Sequence, residues 1–118
     1  MANAFKNMTL RGDAIGADTL TNLGDFGGVS NAVASGSEIT LIGMTIANIT
    51  SGVIAVGVKL INASNETWLV KDAPVPTGGS LVVLGGDQKV VLMTGDKITV
   101  KSDTASSADV IMSFLEIT

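Results

Sequence analysis

The chain has 118 residues, of which 46% are hydrophobic and only 3% aromatic, enough for one domain with an aliphatic core. With 7 basic and 11 acidic residues the formal net charge is -4, so the basic stripe that binds nucleic acid is missing and we expect no nucleic-acid partner. Histidine, cysteine and tyrosine are absent from the sequence, which excludes disulfides, thiol nucleophiles and the usual zinc ligands.

Residues 1–12 are predicted to form an N-terminal arm, followed by a single β-sandwich domain over residues 13–118. The arm carries Lys6 and Arg11 and no acid, and Phe5 adds an apolar side chain. A basic arm on an acidic body can dock on a neighbouring copy; the alternative is a frayed terminus with two ordinary surface charges. The segment lacks the order of a secretion signal, and no apolar run approaches about 20 residues, so we expect no membrane span.

The next part of the chain, residues 13–36, is rich in glycine. Glycine at this density breaks helices and favours turns, so we expect two short strands among loops, at residues 19–21 and 29–34.

Residues 38–61 read as one long β-hairpin with a break at residues 48–52. Both faces of each predicted arm are mostly apolar, which favours burial on two sides. The strict alternation places Ile39 and Leu41 on one face of the first arm, and Met44 and Ile46 on the other. The second apolar face is covered either by the glycine-rich segment or by another subunit.

The rest of the chain predicts further short strands and no helix. Residues 67–71 form a strand, and Pro74 and Pro76 make residues 72–79 a crossing loop, because proline lacks an N–H. Strands at 80–84 and 89–93 flank a hairpin turn at 85–88, and strands at 97–101 and 109–117 follow. We therefore predict an all-β protein, an antiparallel β-sandwich or jelly roll of about eight strands with little or no helix.

Candidate catalytic and metal-binding residues are limited to acids. A carboxylate pair of the glycosidase kind can be sought among five residues: Asp87, Asp96, Asp103, Asp109 and Glu116. Four of them lie in or beside turns, where aspartate forms local hydrogen bonds, so we predict no catalytic residues and no enzyme activity.

A calcium ion is the one cofactor that the composition leaves open. Asp13, Asp18 and Asp25 lie among glycines whose carbonyls could add ligands, but the spacing Asp-x-Asp-x-Asp-Gly is absent. Surface loops explain these acids equally well, so we predict no metal and no cofactor site.

Trp68 is the single tryptophan. It either caps the sandwich core or anchors a contact with a partner, with Pro74 and Pro76 at the rim. The pattern Asn-x-Ser/Thr occurs four times, as at Asn48, and we interpret it as a turn signal, because Asn and Ser/Thr are enriched together in β-turns.

The part of the chain from Ile39 to Thr118 resembles small virion structural proteins of tailed bacteriophages, including those of aquatic bacteria and cyanobacteria. The resemblance lies in residues 42–48 (IGMTIAN), 68–76 (WLVKDAPVP), 78–81 (GGSL), 85–92 (GGDQKVVL), 95–98 (GDKI), 107–110 (SADV) and 115–117 (LEI). It implies a β-sandwich subunit built into the particle, on the head or in the neck or tail.

Small size and the lack of a fibre repeat favour a head decoration (cement) protein; a neck, tail or baseplate subunit, or a receptor- or glycan-binding module, is the alternative. The expected partners are copies of the chain itself, as a trimer or dimer, and the major capsid protein, with no membrane. We expect synthesis in the bacterial cytoplasm and a place in the virion. The candidate interface residues are Phe5, Lys6, Arg11, Trp68, Pro74 and Pro76.

Overall fold

The computed structural model describes residues 3–85 and 89–118. It contains nine strands, β1 to β9 in chain order: Asn3–Leu10, Thr21–Asn22, Glu38–Asn48, Ile54–Asn62, Asn65–Val75, Ser80–Leu84, Val90–Leu92, Lys97–Ser102 and Ala108–Ile117. Two short 3₁₀ turns, Gly12–Ala14 and Val29–Asn31, are the helical elements of the described residues. Within this part of the chain, no helix has the length and apolar character needed to cross a membrane.

The strands form two antiparallel sheets packed face to face. The five-stranded sheet has the order β1-β9-β3-β6, with β7 also paired to β3, and the four-stranded sheet has the order β2-β8-β4-β5. The pairs are nested along the chain, since β4 pairs β5, β3 pairs β6 and β7, β2 pairs β8, and β1 pairs β9. This nesting across two sheets is the jelly-roll arrangement, so the predicted all-β fold is confirmed.

Strands β6 and β7 count as one interrupted strand of the jelly roll. Both run antiparallel to β3 at successive positions, so the chain does not reverse between them. The hairpin turn predicted there is wrong, although residues 86–88 themselves lie outside the described residues.

The predicted hairpin over residues 38–61 is also wrong. Strand β3 belongs to the five-stranded sheet and β4 to the four-stranded sheet, so the break between them is a corner at which the chain changes sheets. The true hairpin joins β4 to β5 through Ala63 and Ser64, with Asn62 opposite Asn65.

The corner between β3 and β4 is held by the buried side chain of Asn48. Its amide nitrogen donates to the carbonyl oxygens of Gly52, at 2.7 Å, and Val75, at 3.0 Å. Its amide oxygen accepts from the backbone N–H of Thr50, at 2.9 Å, and from the Thr50 hydroxyl, at 2.7 Å. All four hydrogen-bonding positions of the amide are used, which turns the chain and ties the corner to β5. The turn interpretation of this Asn-x-Thr site agrees with the structure.

A β-bulge in β3 changes which of its residues are buried. The register with β9 shifts between Leu41 and Gly43, so one extra residue, Ile42, stands in β3. As a result Leu41 and Met44 both point into the core, where the strict alternation had placed them on opposite faces.

The glycine-rich segment supplies core side chains rather than regular strands. Ile15, Leu23, Phe26 and Val33 are buried in the core, and the ring of Phe26 meets that of Phe114 edge to face at 5.5 Å. Strand β2 has only two residues, and the predicted strand at 29–34 is instead a turn followed by an isolated bridge between Gly27 and Val33. The segment forms short loops, each anchored by a buried apolar side chain, because its apolar residues are too widely spaced for a strand.

The predicted N-terminal arm is a strand of the sandwich. Strand β1 pairs with β9 over eight positions, from Asn3 opposite Ile117 to Leu10 opposite Val110, and Met8 and Leu10 pack against the core. The prediction missed this edge strand because the segment has few apolar residues. A strand of an antiparallel sheet needs only one buried face, so few apolar residues are enough.

Candidate interaction surface

The outer face of the five-stranded sheet is the most unusual surface of the molecule. Cross-strand pairing arranges its residues in three rows. The first row holds Phe5, Leu115, Thr40 and Val91; the second holds Asn7, Ser113 and Gly43; the third holds Thr9, Ile111, Thr45 and Val82. We call these three rows the open face.

The rows of the open face contain no charged residue, and the two outer rows expose the apolar side chains of Phe5, Leu115, Val91, Ile111 and Val82 among threonines. Phe5 is 79% exposed and Ile111 50% exposed, and neither belongs to the core. Charged residues flank the rows: Glu38 lies opposite Ile117 at one end, Asp109 lies opposite Ala47 at the other, and Lys89 precedes β7 beside β3. Since apolar surface of this kind is costly to leave in water, the open face has the character of a contact surface.

A shallow pocket indents the open face near the end that carries Asp109. It has a volume of about 240 Å³ and is lined mainly by Thr9, Arg11, Thr45, Ala47 and Ile111. Leu10, Asp109 and Val110 complete the lining. We call it the Thr45 pocket. An apolar cavity of roughly 150 Å³ is enough to bind benzene, so this pocket has room for one apolar side chain.

The outer face of the four-stranded sheet is different, because it is charged and partly covered. The Trp68 ring lies against Gly57, where an added Cβ would come within 2.8 Å of the ring. The ammonium groups of Lys59 and Lys101 lie 4.4 Å and 5.4 Å from the ring centroid. Lys59 also pairs with Glu66 at 2.8 Å. Trp68 therefore already has partners within its own sheet.

Trp68 does not fully match either of the two roles that the sequence suggested for it. It is not part of the core cluster, so it does not cap the core, and its ring is only partly available to a partner. Pro74 lies in β5 opposite Ala55 of β4, and Trp68 lies opposite Lys59 of the same strand. Ala55 and Lys59 are four residues apart, so the strand rise places Pro74 about 13 Å from Trp68 along the sheet. Pro76 is exposed in the turn that follows.

The crossing loop predicted at residues 72–79 is wrong over its first part, since β5 continues through Pro74 to Val75. The proline is tolerated there because β5 is the edge strand of its sheet, where one side of the backbone makes no ladder bonds.

The three candidate residues of the N-terminal segment are placed near one another but are not equivalent. Phe5 projects from the open face, and Arg11 borders the Thr45 pocket. Lys6 points to the opposite side of β1 and pairs with Glu116 at 2.8 Å. Phe5 and Arg11 thus belong to the same surface, whereas Lys6 stabilises the edge of the sheet.

Three of the acids considered for catalysis accept hydrogen bonds from backbone N–H groups. The Asp96 carboxylate accepts from the Met93 N–H at 2.9 Å, Asp103 from the Ala55 N–H at 3.1 Å, and Asp109 from the Gly12 N–H at 2.7 Å. Asp87 lies outside the described residues.

The acids considered for calcium are not brought together. Within residues 3–85 and 89–118, no group of three or more acidic side chains could hold a metal ion. Asp25 accepts a hydrogen bond from the Gly27 N–H at 2.8 Å, as in an ordinary loop turn.

An open cleft of about 770 Å³ lies beside the loop at residues 27–35. The tip of this loop presents Val29, which is 87% exposed, and Ser30 and Asn31 follow it with left-handed φ angles of 53° and 67°. Lys97 supplies the charge in the cleft lining, and the other lining residues are small and uncharged. Nothing in the lining selects a particular ligand, so we assign no chemistry to this cleft.

The open face was not anticipated as a unit, although one signal pointed to it. The residues of β9 that alternate with the buried Val110, Met112 and Phe114 include Ile111 and Leu115, so this strand is apolar on both sides. A strand with two apolar faces, in a sandwich that buries one face, predicts exposed apolar side chains on the other.

Comparison with known proteins adds no family to this picture. The sequence matches no protein-family model and no curated protein.

Proposed function

We propose that this chain is a structural protein of a tailed-bacteriophage virion, and that it serves as a head decoration (cement) subunit. It stabilises the capsid lattice through contacts with copies of itself and with the major capsid protein. Its site of synthesis is the cytoplasm of the host bacterium, and its place of action is the virion.

The observation that carries the proposal is the open face. A protein that acts alone in solution rarely leaves three rows of an uncharged sheet face in water, whereas an assembly subunit covers such a face. The four-stranded sheet, with its lysines and covered tryptophan, is the ordinary solvated side. This asymmetry between the two sheets supports a protein that works by contact.

The fold is compatible with the proposal but does not decide it. Jelly rolls occur in viral capsid proteins and also in lectins and cupins, so fold alone leaves several functions open. The resemblance of residues 39–118 to small virion proteins favours the first of these. The hydrogen bonds that Asp96, Asp103 and Asp109 accept from backbone N–H groups favour a structural role for these acids over a catalytic one.

The proposal is tested by locating the protein on particles. Virions of the phage that encodes the chain are purified and labelled with antibody fragments raised against the purified protein, then imaged by cryo-electron microscopy. We expect label across the head. Label confined to the neck or tail would contradict the decoration role and leave a virion structural role. Particles without any label would contradict both.

A second measurement tests the cement function itself. Particles assembled without this protein are expected to release DNA at a lower temperature than complete particles, and added purified protein should restore the original temperature. Equal release temperatures with and without the protein would show that it does not reinforce the lattice.

A further inference from the structure

We propose that the open face is covered by the open face of a second copy, in a two-fold dimer whose strands run antiparallel across the interface. In this dimer Phe5 of each copy enters the Thr45 pocket of the other. The inference shares with the proposed function only the view that the open face is a contact surface, and it holds for the purified protein without a virion.

The spacing between Phe5 and the Thr45 pocket is the first reason for this arrangement. Phe5 and Thr9 lie on the same strand, four residues or about 14 Å apart, with Asn7 midway between them. A two-fold axis that lies in the interface and crosses the strands at the row of Asn7 and Ser113 exchanges the row of Phe5 with the row of Thr9. Each Phe5 then faces the pocket bordered by the other copy's Thr9, and the contact forms twice, as an isologous interface requires.

The distribution of charge is the second reason. The rows in contact are uncharged, so no charge is desolvated at the centre of the interface. The antiparallel arrangement places Glu38 over Ala47 of the other copy and Ile117 over Asp109, so these charged residues do not face one another directly. A two-fold axis along the strands would instead keep Phe5 in its own row, away from the row of Thr9 that borders the Thr45 pocket.

A second copy also fits better than the other possible occupants. The chain has a net charge of -4, so an anionic lipid surface would repel it. A charged protein partner would leave its own charges unpaired against these rows. The same face of another copy is uncharged along its rows and presents Phe5 and the Thr45 pocket at matching positions.

The size of the face predicts a reversible dimer. Four neighbouring strands are about 19 Å wide and eight residues of strand about 27 Å long, which gives roughly 500 Å² a copy, or roughly 1,000 Å² in total. Specific interfaces begin near this total, so we expect dissociation on dilution, at roughly micromolar concentrations.

Sedimentation of the full chain over a range of concentrations tests the dimer. The wild type should approach twice the 11.9 kDa mass of one chain as concentration rises. Ile111→Lys, on the outward side of β9, places like charges in the interface and should remain monomeric. Val29→Lys makes the same chemical change at the exposed loop tip and should dimerise like the wild type. A wild type that is monomeric throughout, or an Ile111→Lys variant that dimerises equally well, would overturn the proposal.

The orientation is tested by cross-linking, which the absence of cysteine from the sequence makes simple. Asn7→Cys lies on the proposed axis, so two copies should join through a disulfide or a short thiol cross-linker. Val29→Cys should not join above the level of random collision. A dimer in which Asn7→Cys fails to cross-link would overturn the antiparallel arrangement.

These outcomes are independent of the proposed function. A monomeric protein found on virions would reject the dimer and leave the virion role. A dimer absent from virions would do the reverse.

Discussion

Asn48→Ala removes the side chain that holds the corner between β3 and β4, and its cost can be worked from the four hydrogen bonds. The bond to the Val75 carbonyl is buried, and leaving that oxygen without a partner costs roughly 1–3 kcal/mol. The bonds to Gly52 and Thr50 are partly buried, and each contributes roughly 0.5 kcal/mol or more. We expect a total loss of about 3 kcal/mol, a large part of the roughly 5–15 kcal/mol that stabilises a domain.

Urea unfolding, followed by Trp68 fluorescence and by circular dichroism, measures this loss. With a slope of roughly 1.5 kcal/mol per molar, a loss of about 3 kcal/mol lowers the midpoint by about 2 M. Coincidence of the two signals supports the two-state analysis. Asn3→Ala, an exposed asparagine at the start of β1, serves as the matched control and should shift the midpoint little.

A second substitution separates the two halves of the network. Asn48→Asp keeps an oxygen to accept from Thr50 but replaces the donor that faces the carbonyls of Gly52 and Val75. It should destabilise at least as much as alanine, because a carboxylate oxygen would face two carbonyl oxygens. If Asn48→Ala unfolds at the same urea concentration as Asn3→Ala, Asn48 does not hold the corner.

Three further changes test other parts of the packing. Gly57→Ala places a methyl group 2.8 Å from the Trp68 ring, so we expect the free energy of unfolding to fall by about 1–2 kcal/mol and the fluorescence spectrum of the folded protein to change. An unchanged spectrum would show that the ring does not lie on this glycine. Gly24→Ala, at a φ of +86° and overlapping the Met8 side chain, should cost more than Gly36→Ala, at a φ of +81° with open space around it, and equal urea midpoints would contradict the overlap. Deletion of strand β1 should lower the thermal midpoint, since it uncovers the edge of β9 and removes apolar packing; an unchanged midpoint would restore the interpretation of this segment as an arm.

The sequence predicts the later strands of the fold well because their alternation is regular. Ile98 and Val100 in β8, and Val110, Met112 and Phe114 in β9, are all buried, as their spacing indicates. These strands lack bulges in their inward-facing stretches, so a period of two holds along each of them.

The sheet to which each strand belongs could not be predicted in the same way. Strands β3 and β4 read as a hairpin because they are adjacent in sequence and apolar on both sides. The corner that separates them depends on the side-chain bonds of Asn48, and the burial pattern of β3 depends on the extra residue Ile42. Neither feature has a periodic signature, since each is a single local event.

Two of the residues that the sequence suggested for an interface lie on the proposed contact surface. Phe5 and Arg11 were singled out as interface residues, and both lie on the surface that we propose for contact. The rest of that surface was missed because each of its rows combines residues from strands that lie far apart in the chain. Only the strand order places Ile111 beside the N-terminal strand and Val82 in the same row.

The central position of β9 has a consequence for how the protein folds. Lys6 and Glu116, which pair across the ladder between β1 and β9, are 110 residues apart in sequence. Closing so long a loop before its contacts form is entropically slow, and jelly rolls accordingly fold over milliseconds to seconds or longer. Until β9 has been synthesised and inserted, β1 and β3 both keep unpaired edges that other chains can join. We therefore expect the five-stranded sheet to form late. The yield of folded protein should depend on the rate at which β9 inserts between β1 and β3, relative to the rate at which incompletely folded chains associate.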